Sequence, residues 1–205
     1  MDPKIQSRAQ ALAWITVGWN LIEGLVSVGF GAKAESLSLF GFGLDSFVEV
    51  GSALMVLWRL RHDGATPRER SAAKVIGALF LLLAVSVAYG AAHRLVTREA
   101  PESSLPGLII SLLSLAFMAW LWRAKRRVAD AACSPTLAAD AACSLACIQL
   151  SVVLLAGSLL FLVAPKLWWA DAAAGLLLAA LIFREGWGIR KAASRPDFAG
   201  GCGCH

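Results

Sequence analysis

The chain has 205 residues, 58% of them hydrophobic and 16% charged, with a formal net charge of +5 and a mean hydropathy of +0.67. A composition this apolar excludes an ordinary soluble domain and indicates a polytopic membrane protein. The pI of about 9.2 does not indicate nucleic-acid binding, because no basic, aromatic-interleaved soluble segment accompanies it.

Residues 1–10 are short and mostly polar, and no small-residue cleavage site follows a brief apolar core. The first apolar run is therefore expected to be a retained helix and not a signal peptide. A membrane helix needs about 20 mostly apolar residues, and six segments qualify: Ala11 to Gly31, Leu37 to Leu60, Ala73 to Ala92, Leu105 to Trp122, Thr136 to Val163 and Leu167 to Trp187. Pro106 falls in the first turn of the fourth, where a missing N–H is harmless, and Ser134-Pro135 opens the fifth in the same way. Pro165 closes the fifth. No strand-like alternation of useful length occurs, which excludes a β-barrel. The expected architecture is all-α: a cytoplasmic stretch 1–10, a six-helix transmembrane domain 11–187, and a short cytoplasmic tail 188–205. The loops leave no room for a soluble domain.

Orientation follows from the 19 Lys and Arg residues. With the N-terminus inside, the outside loops hold only Lys33, Arg94, Arg98 and Lys166. The rest, among them Arg59, Arg123, Lys125, Arg126 and Arg127, lie on the inside, which places both termini in the cytoplasm. Trp168 and Trp169 then belong to the outer aromatic belt, and Trp122 and Trp187 to the inner one.

Ionisable groups inside apolar helices carry the functional signal. Asp45 and Glu49 lie four residues apart in the second segment and share a helix face. Carboxylates at that depth are costly and repel each other; a cation between them removes both costs. The fifth segment offers Asp140, Cys143 and Cys147, the cysteines again four apart. The first offers Asn20 and Glu23. At ~1.5 Å per residue, Asp45 and Glu49 lie roughly 12 and 18 Å below the outer membrane edge, and Cys147 and Cys143 roughly 14 and 20 Å below it. If the two helices are neighbours, Asp45 faces Cys147 and Glu49 faces Cys143. Two carboxylates and two thiolates form a tetrahedral set suited to zinc or cadmium, and a poor one for calcium or magnesium.

Asp140 stands about one turn inside the cytoplasmic end, either as a site residue or as a first-turn acid favoured by the helix dipole. Glu23 is a candidate supporting or proton-relay group. Asp171 is expected to be an interfacial or packing residue. The five cysteines form a poor disulfide framework, and Cys133 is expected to be a loop residue without function. Cys202, Cys204 and His205 in the tail form a candidate soft-metal trap at the cytosolic mouth. No catalytic constellation is legible, since His62, His93 and His205 lie at or outside the membrane edges, so an enzyme is not expected and no cofactor is implied.

Three runs carry a family resemblance. Residues 31–49, ending in Gly43-Leu44-Asp45-Ser46-Phe47-Val48-Glu49, resemble the first-to-second helix region of the cation diffusion facilitators. Leu137-Ala138-Ala139-Asp140-Ala141-Ala142-Cys143-Ser144-Leu145-Ala146-Cys147 resembles their fifth helix. Trp168-Trp169-Ala170-Asp171, with Arg184-Glu185-Gly186 beyond it, resembles their sixth. The resemblance implies a six-helix, usually dimeric transporter in the inner membrane. It would expel divalent metals from the cytosol, commonly zinc, in exchange for protons. Asp45 and Glu49 match the family's acidic pair. Cys143 and Cys147 stand where the family has histidine and aspartate. No C-terminal cytoplasmic domain like the family's is expected, and the short form resembles a compact bacterial subgroup. The expected function is export of zinc or cadmium by proton antiport, with the lipid bilayer, the metal ion, protons and a second copy of the chain as partners. A non-transporting metal-binding partner or sensor of the same fold, and an exporter of copper(I) or mercury(II), are the alternatives.

Overall fold

The structure, a computed structural model, describes residues 2–33, 37–61, 65–98 and 105–195. Among these residues all regular structure is helical. The helices are α1 (Pro3–Lys33), α2 (Leu37–Leu60), α3 (Ala65–Thr97), α4 (Leu105–Ala132), α5 (Pro135–Val163) and α6 (Ala170–Ser194), and a single 3-10 turn spans Pro165–Leu167. The all-α membrane architecture read from the sequence is the observed one. Several helices outrun their apolar runs. α1 begins at Pro3, α3 at Ala65, and α4 continues past Trp122 to Ala132, because Arg, Lys, Glu and Ala favour helix whether or not lipid surrounds them.

Four segments among the described residues are long and apolar enough to cross a membrane, within 3–29, 67–97, 135–153 and 172–194. Large apolar side chains point away from the bundle all round it, among them Ile22 at 67% and Leu25 at 60% exposure, as lipid-facing surfaces require.

Contacts at the helix ends define an up-and-down arrangement. Gln6 Nε2 at the start of α1 donates to the Leu60 carbonyl at the end of α2 at 3.1 Å, and Arg70 Nη2 near the start of α3 donates to the Arg195 carbonyl after α6 at 3.0 Å. These ends lie together, with the α4–α5 turn beside them. That turn is closed from both sides. Cys133 takes a left-handed conformation (φ 48°), its N–H donates to the Asp130 carbonyl, and the Ser134 N–H reaches back to the Ala129 carbonyl. This is a Schellman termination without glycine. Ser134 then caps α5, its hydroxyl accepting from the Leu137 N–H at 3.3 Å, with Pro135 in the first turn.

Buried Glu69 of α3 reinforces the start of α5. It accepts from the Thr136 N–H at 2.9 Å and from the Ser134 hydroxyl, and it pairs with Arg59 of α2. One carboxylate therefore ties three helices and satisfies a donor that the first turn of α5 leaves open.

α1 packs on α2 and α3 on α6 along glycine contacts. A Cβ at Gly43 of α2 would lie 2.9 Å from the Val28 backbone nitrogen and 3.0 Å from the Gly24 carbonyl. At Gly186 of α6 it would lie 2.6 Å from Phe80 Cβ and 3.0 Å from the Gly77 carbonyl. Small residues let membrane helices approach this closely. α2 and α5 occupy the middle: α2 meets α1, α3 and α5, and α5 meets α2, α3, α4 and α6. The main core, around Ile76, Phe80, Leu83, Leu178 and Ile182, lies between α3, α5 and α6.

Candidate metal centre

Three polar residues of α2, Asp45, Glu49 and Ser52, share one face of the helix. Each is buried and each meets α5. The Cys147 thiol donates to Asp45 Oδ1 at 3.1 Å, the Ser144 hydroxyl donates to Glu49 Oε1, and the Ser52 hydroxyl donates to Asp140 Oδ1 at 2.7 Å. Numbers rise along α2 as they fall along α5, so the helices run antiparallel in the register that depth counting gives. The Asp45–Cys147 contact is the one expected. Glu49 differs by one position, its Oε1 meeting Ser144 instead of Cys143.

Cys143 is fully buried and packs with Val48, Phe80, Ala139 and Ile182, towards α3 and α6. Its thiol is one turn from Cys147. Cys147 lies on the other side, against Met118 and Leu121 of α4. Among the described residues no three Asp, Glu, Cys or His side chains are drawn together closely enough to hold an ion. Asp45, Glu49, Cys143 and Cys147 thus share one buried region, with Asp45 and Cys147 in direct contact. Glu49 Oε2 is buried without a hydrogen-bond partner among the described residues. A buried, unsatisfied carboxylate oxygen is costly, and a bound cation is one way to satisfy it.

Lys125 corrects the charge-based reading. The charge pattern groups it on the inside with Arg123, Arg126 and Arg127 as membrane-flanking charge, but it lies within α4 and is 4% exposed. Its Nζ stands 2.9 Å from Ser144 Oγ, 3.1 Å from Asp140 Oδ2 and 3.4 Å from Glu49 Oε1. The cause is the tight α4–α5 turn. Lys125 and Asp140 each lie about two helical turns from Cys133, so the two antiparallel helices bring them level. Asp140 is therefore neither exposed nor a plain first-turn acid; it joins Ser52 of α2 to Lys125 of α4. The signal was present in the sequence: Met118, Leu121, Lys125 and Ala129 form a buried stripe at helical spacing, and a lysine inside such a stripe must have a partner.

Glu23 of α1 is partly buried and turns to the same region from the other flank. It accepts from the Ser114 hydroxyl of α4 and from Ser46 Oγ of α2 at 3.5 Å. Its charge is close enough to interact with those of Asp45 and Glu49. Asn20, one turn earlier and fully buried, donates to the Thr16 carbonyl at 3.0 Å, and its Oδ1 lacks a partner among the described residues. The serines at 46, 52, 114 and 144, which sequence reading passed over, thus hold every acid of the site except Asp45. Cys202, Cys204 and His205 lie outside the described residues, as do His62 and the side chain of Asp171.

Residues 13–195 match the family described as the cation efflux transmembrane domain. Transmembrane protein 163 of Xenopus laevis is 27% identical over 184 residues, which cover 88% of this chain. The chain spans 66% of the length of that relative.

Proposed function

The chain belongs to the cation efflux family, and from that premise we propose that this membrane cation transporter exports a divalent transition or heavy metal, zinc or cadmium, from the cytosol by proton antiport. Asp45, Glu49, Cys143 and Cys147 are the residues that would hold the ion, with Asp140 and Glu23 around them. The observation that carries the proposal is the buried Asp45–Cys147 contact between α2 and α5, one turn from a Glu49 oxygen that has no partner among the described residues. A carboxylate beside a thiol selects a borderline or soft divalent ion over calcium or magnesium. The cost of keeping acids in an apolar bundle, a few kcal/mol each on insertion scales (~2.5–3.5), is offset when a cation binds between them.

Ligand chemistry supports exchange for protons. A thiol coordinates a metal as thiolate, so binding releases the proton it carries. Rotation of Glu49 away from Ser144 and approach of α5 to α2 would bring the four groups around one ion. Release on the far side would leave the thiols free to take protons again. The tail residues Cys202, Cys204 and His205 would gather metal before it reaches the bundle, and the working unit would be a homodimer in the inner membrane.

Purified protein in sealed vesicles tests this reading. Zinc or cadmium flux should be accompanied by counter-movement of protons, read by a trapped pH dye, and calcium and magnesium should not move. Flux indifferent to an imposed pH gradient would contradict antiport, and absence of flux for any transition metal would contradict the function.

A further inference from the structure

The α4 ammonium that bridges α2 and α5 is a cation already in place where two acids of the site meet. Lys125 touches Glu49, Asp140 and Ser144, and all four side chains are buried. Three helices contribute to the cluster, so the contact is not an accident of one helix face. Glu49 is shared: Oε1 is held by Ser144 and Lys125, while Oε2 has no partner among the described residues. A small pocket lined by Leu12, Val56, Val128, Leu137, Asp140 and Lys125 itself adjoins the ammonium on the α4–α5 turn side. The pocket is no larger than one water-sized group, and it lies towards the end where a long side chain keeps its charge close to water.

We propose that Lys125 is the resident counter-ion of the site. In the metal-free protein its ammonium holds Glu49 and Asp140, and a divalent ion binds by taking Glu49 from it. The proposal rests on the reading of Asp45 and Glu49 as cargo ligands, and it adds a selectivity element to that reading. A cation must outcompete a buried ammonium for Glu49, which a weakly attracted monovalent ion cannot do. Lys125 is thus a positioning residue: it sets where Glu49 waits and how tightly an ion must be held to move it. Displaced to the pocket, the ammonium keeps Asp140 as its partner, so the buried acid is not left uncompensated when Glu49 departs.

The experiment compares full-length wild type, Lys125→Met, Lys125→Arg and Lys125→Met/Asp140→Asn in lipid nanodiscs, titrated with cadmium alone by calorimetry. The double variant removes one positive and one negative group together and guards against misfolding of Lys125→Met. The expected result is that both Met variants bind cadmium about ten-fold more tightly than wild type, equivalent to ~1.4 kcal/mol, while Lys125→Arg does not. A lysine with only a structural role would leave the affinity unchanged or weaken it, so either result in a folded Met variant overturns the proposal. Loss of folding in the double variant as well does the same, assigning Lys125 to the scaffold. Binding by the Met variants where wild type shows none supports it in stronger form. No cadmium binding by any variant or by wild type overturns the cargo site itself, and the counter-ion role with it.

Discussion

Glu69→Ala removes the carboxylate that joins α2, α3 and the start of α5. In the native fold that group is fully buried and meets Arg59, the Ser134 hydroxyl and the Thr136 N–H. Alanine would strand a guanidinium that is 15% exposed and leave one buried N–H without its acceptor. Breaking a buried pair by deleting one partner costs ~3–5 kcal/mol, and loss of a helix cap alone costs ~1 kcal/mol. The partial exposure of Arg59 places the expected loss near the lower figure, about 3 kcal/mol. For a chain of this length that corresponds to a fall in thermal midpoint of roughly 6–12 °C. Glu69→Gln keeps an acceptor for Thr136 and loses only the charge, so its fall should be smaller. Thermal denaturation of the detergent-solubilised protein, followed by helical circular dichroism, reads both. A Glu69→Ala variant within about 1 kcal/mol of wild type would refute the idea that this carboxylate anchors α5.

Two further perturbations separate packing from chemistry. Gly186→Leu places a side chain where a Cβ alone would lie 2.6 Å from Phe80 Cβ. It should cost at least ~1–3 kcal/mol by forcing α3 from α6. Gly188→Ala, with nothing within 4 Å of its Cβ, should be neutral or stabilising by up to ~1 kcal/mol; equal effects in thermal denaturation would contradict the close α3–α6 contact. Cys147→Asp replaces the thiol beside Asp45 by an oxygen donor. It should shift competitive binding from cadmium towards zinc, because loss of sulfur disfavours the softer ion. An unchanged cadmium-to-zinc ratio would remove Cys147 from the ligand set.

The parts legible in the sequence are those that depend on one helix at a time. Apolar length places six helices, and spacing of four puts Asp45 with Glu49 and Cys143 with Cys147 on shared faces. Depth counting pairs Asp45 with Cys147 because both helices cross the same thickness in opposite directions. The same counting misses Ser144 as the partner of Glu49. Positions 143 and 144 differ by ~1.5 Å in height but by about 100° around the helix, and depth carries no rotation.

Lys125 was missed for another reason. Hydropathy ends the fourth segment at Trp122, so the next basic residues read together as membrane-flanking charge. Only the buried stripe running through Leu121, Lys125 and Ala129 separates the lysine from exposed Arg123, Arg126 and Arg127. The role of Glu69 was hidden because its partners are on other helices, about ten and sixty-five residues away, and no local pattern marks such contacts.

The most direct test of the account is cadmium uptake into sealed vesicles by wild type and Asp45→Asn, measured beside cadmium binding by the same preparations. Asn preserves the size of the side chain and removes its charge, while Glu69, the glycine contacts and the α4–α5 turn are untouched. Wild type should accumulate cadmium, and Asp45→Asn should fold normally, bind the ion at least about ten-fold more weakly and lose uptake. Uptake by Asp45→Asn at the wild-type rate would show that cations cross this bundle without the Asp45–Cys147 pair, and would contradict the site assigned to it.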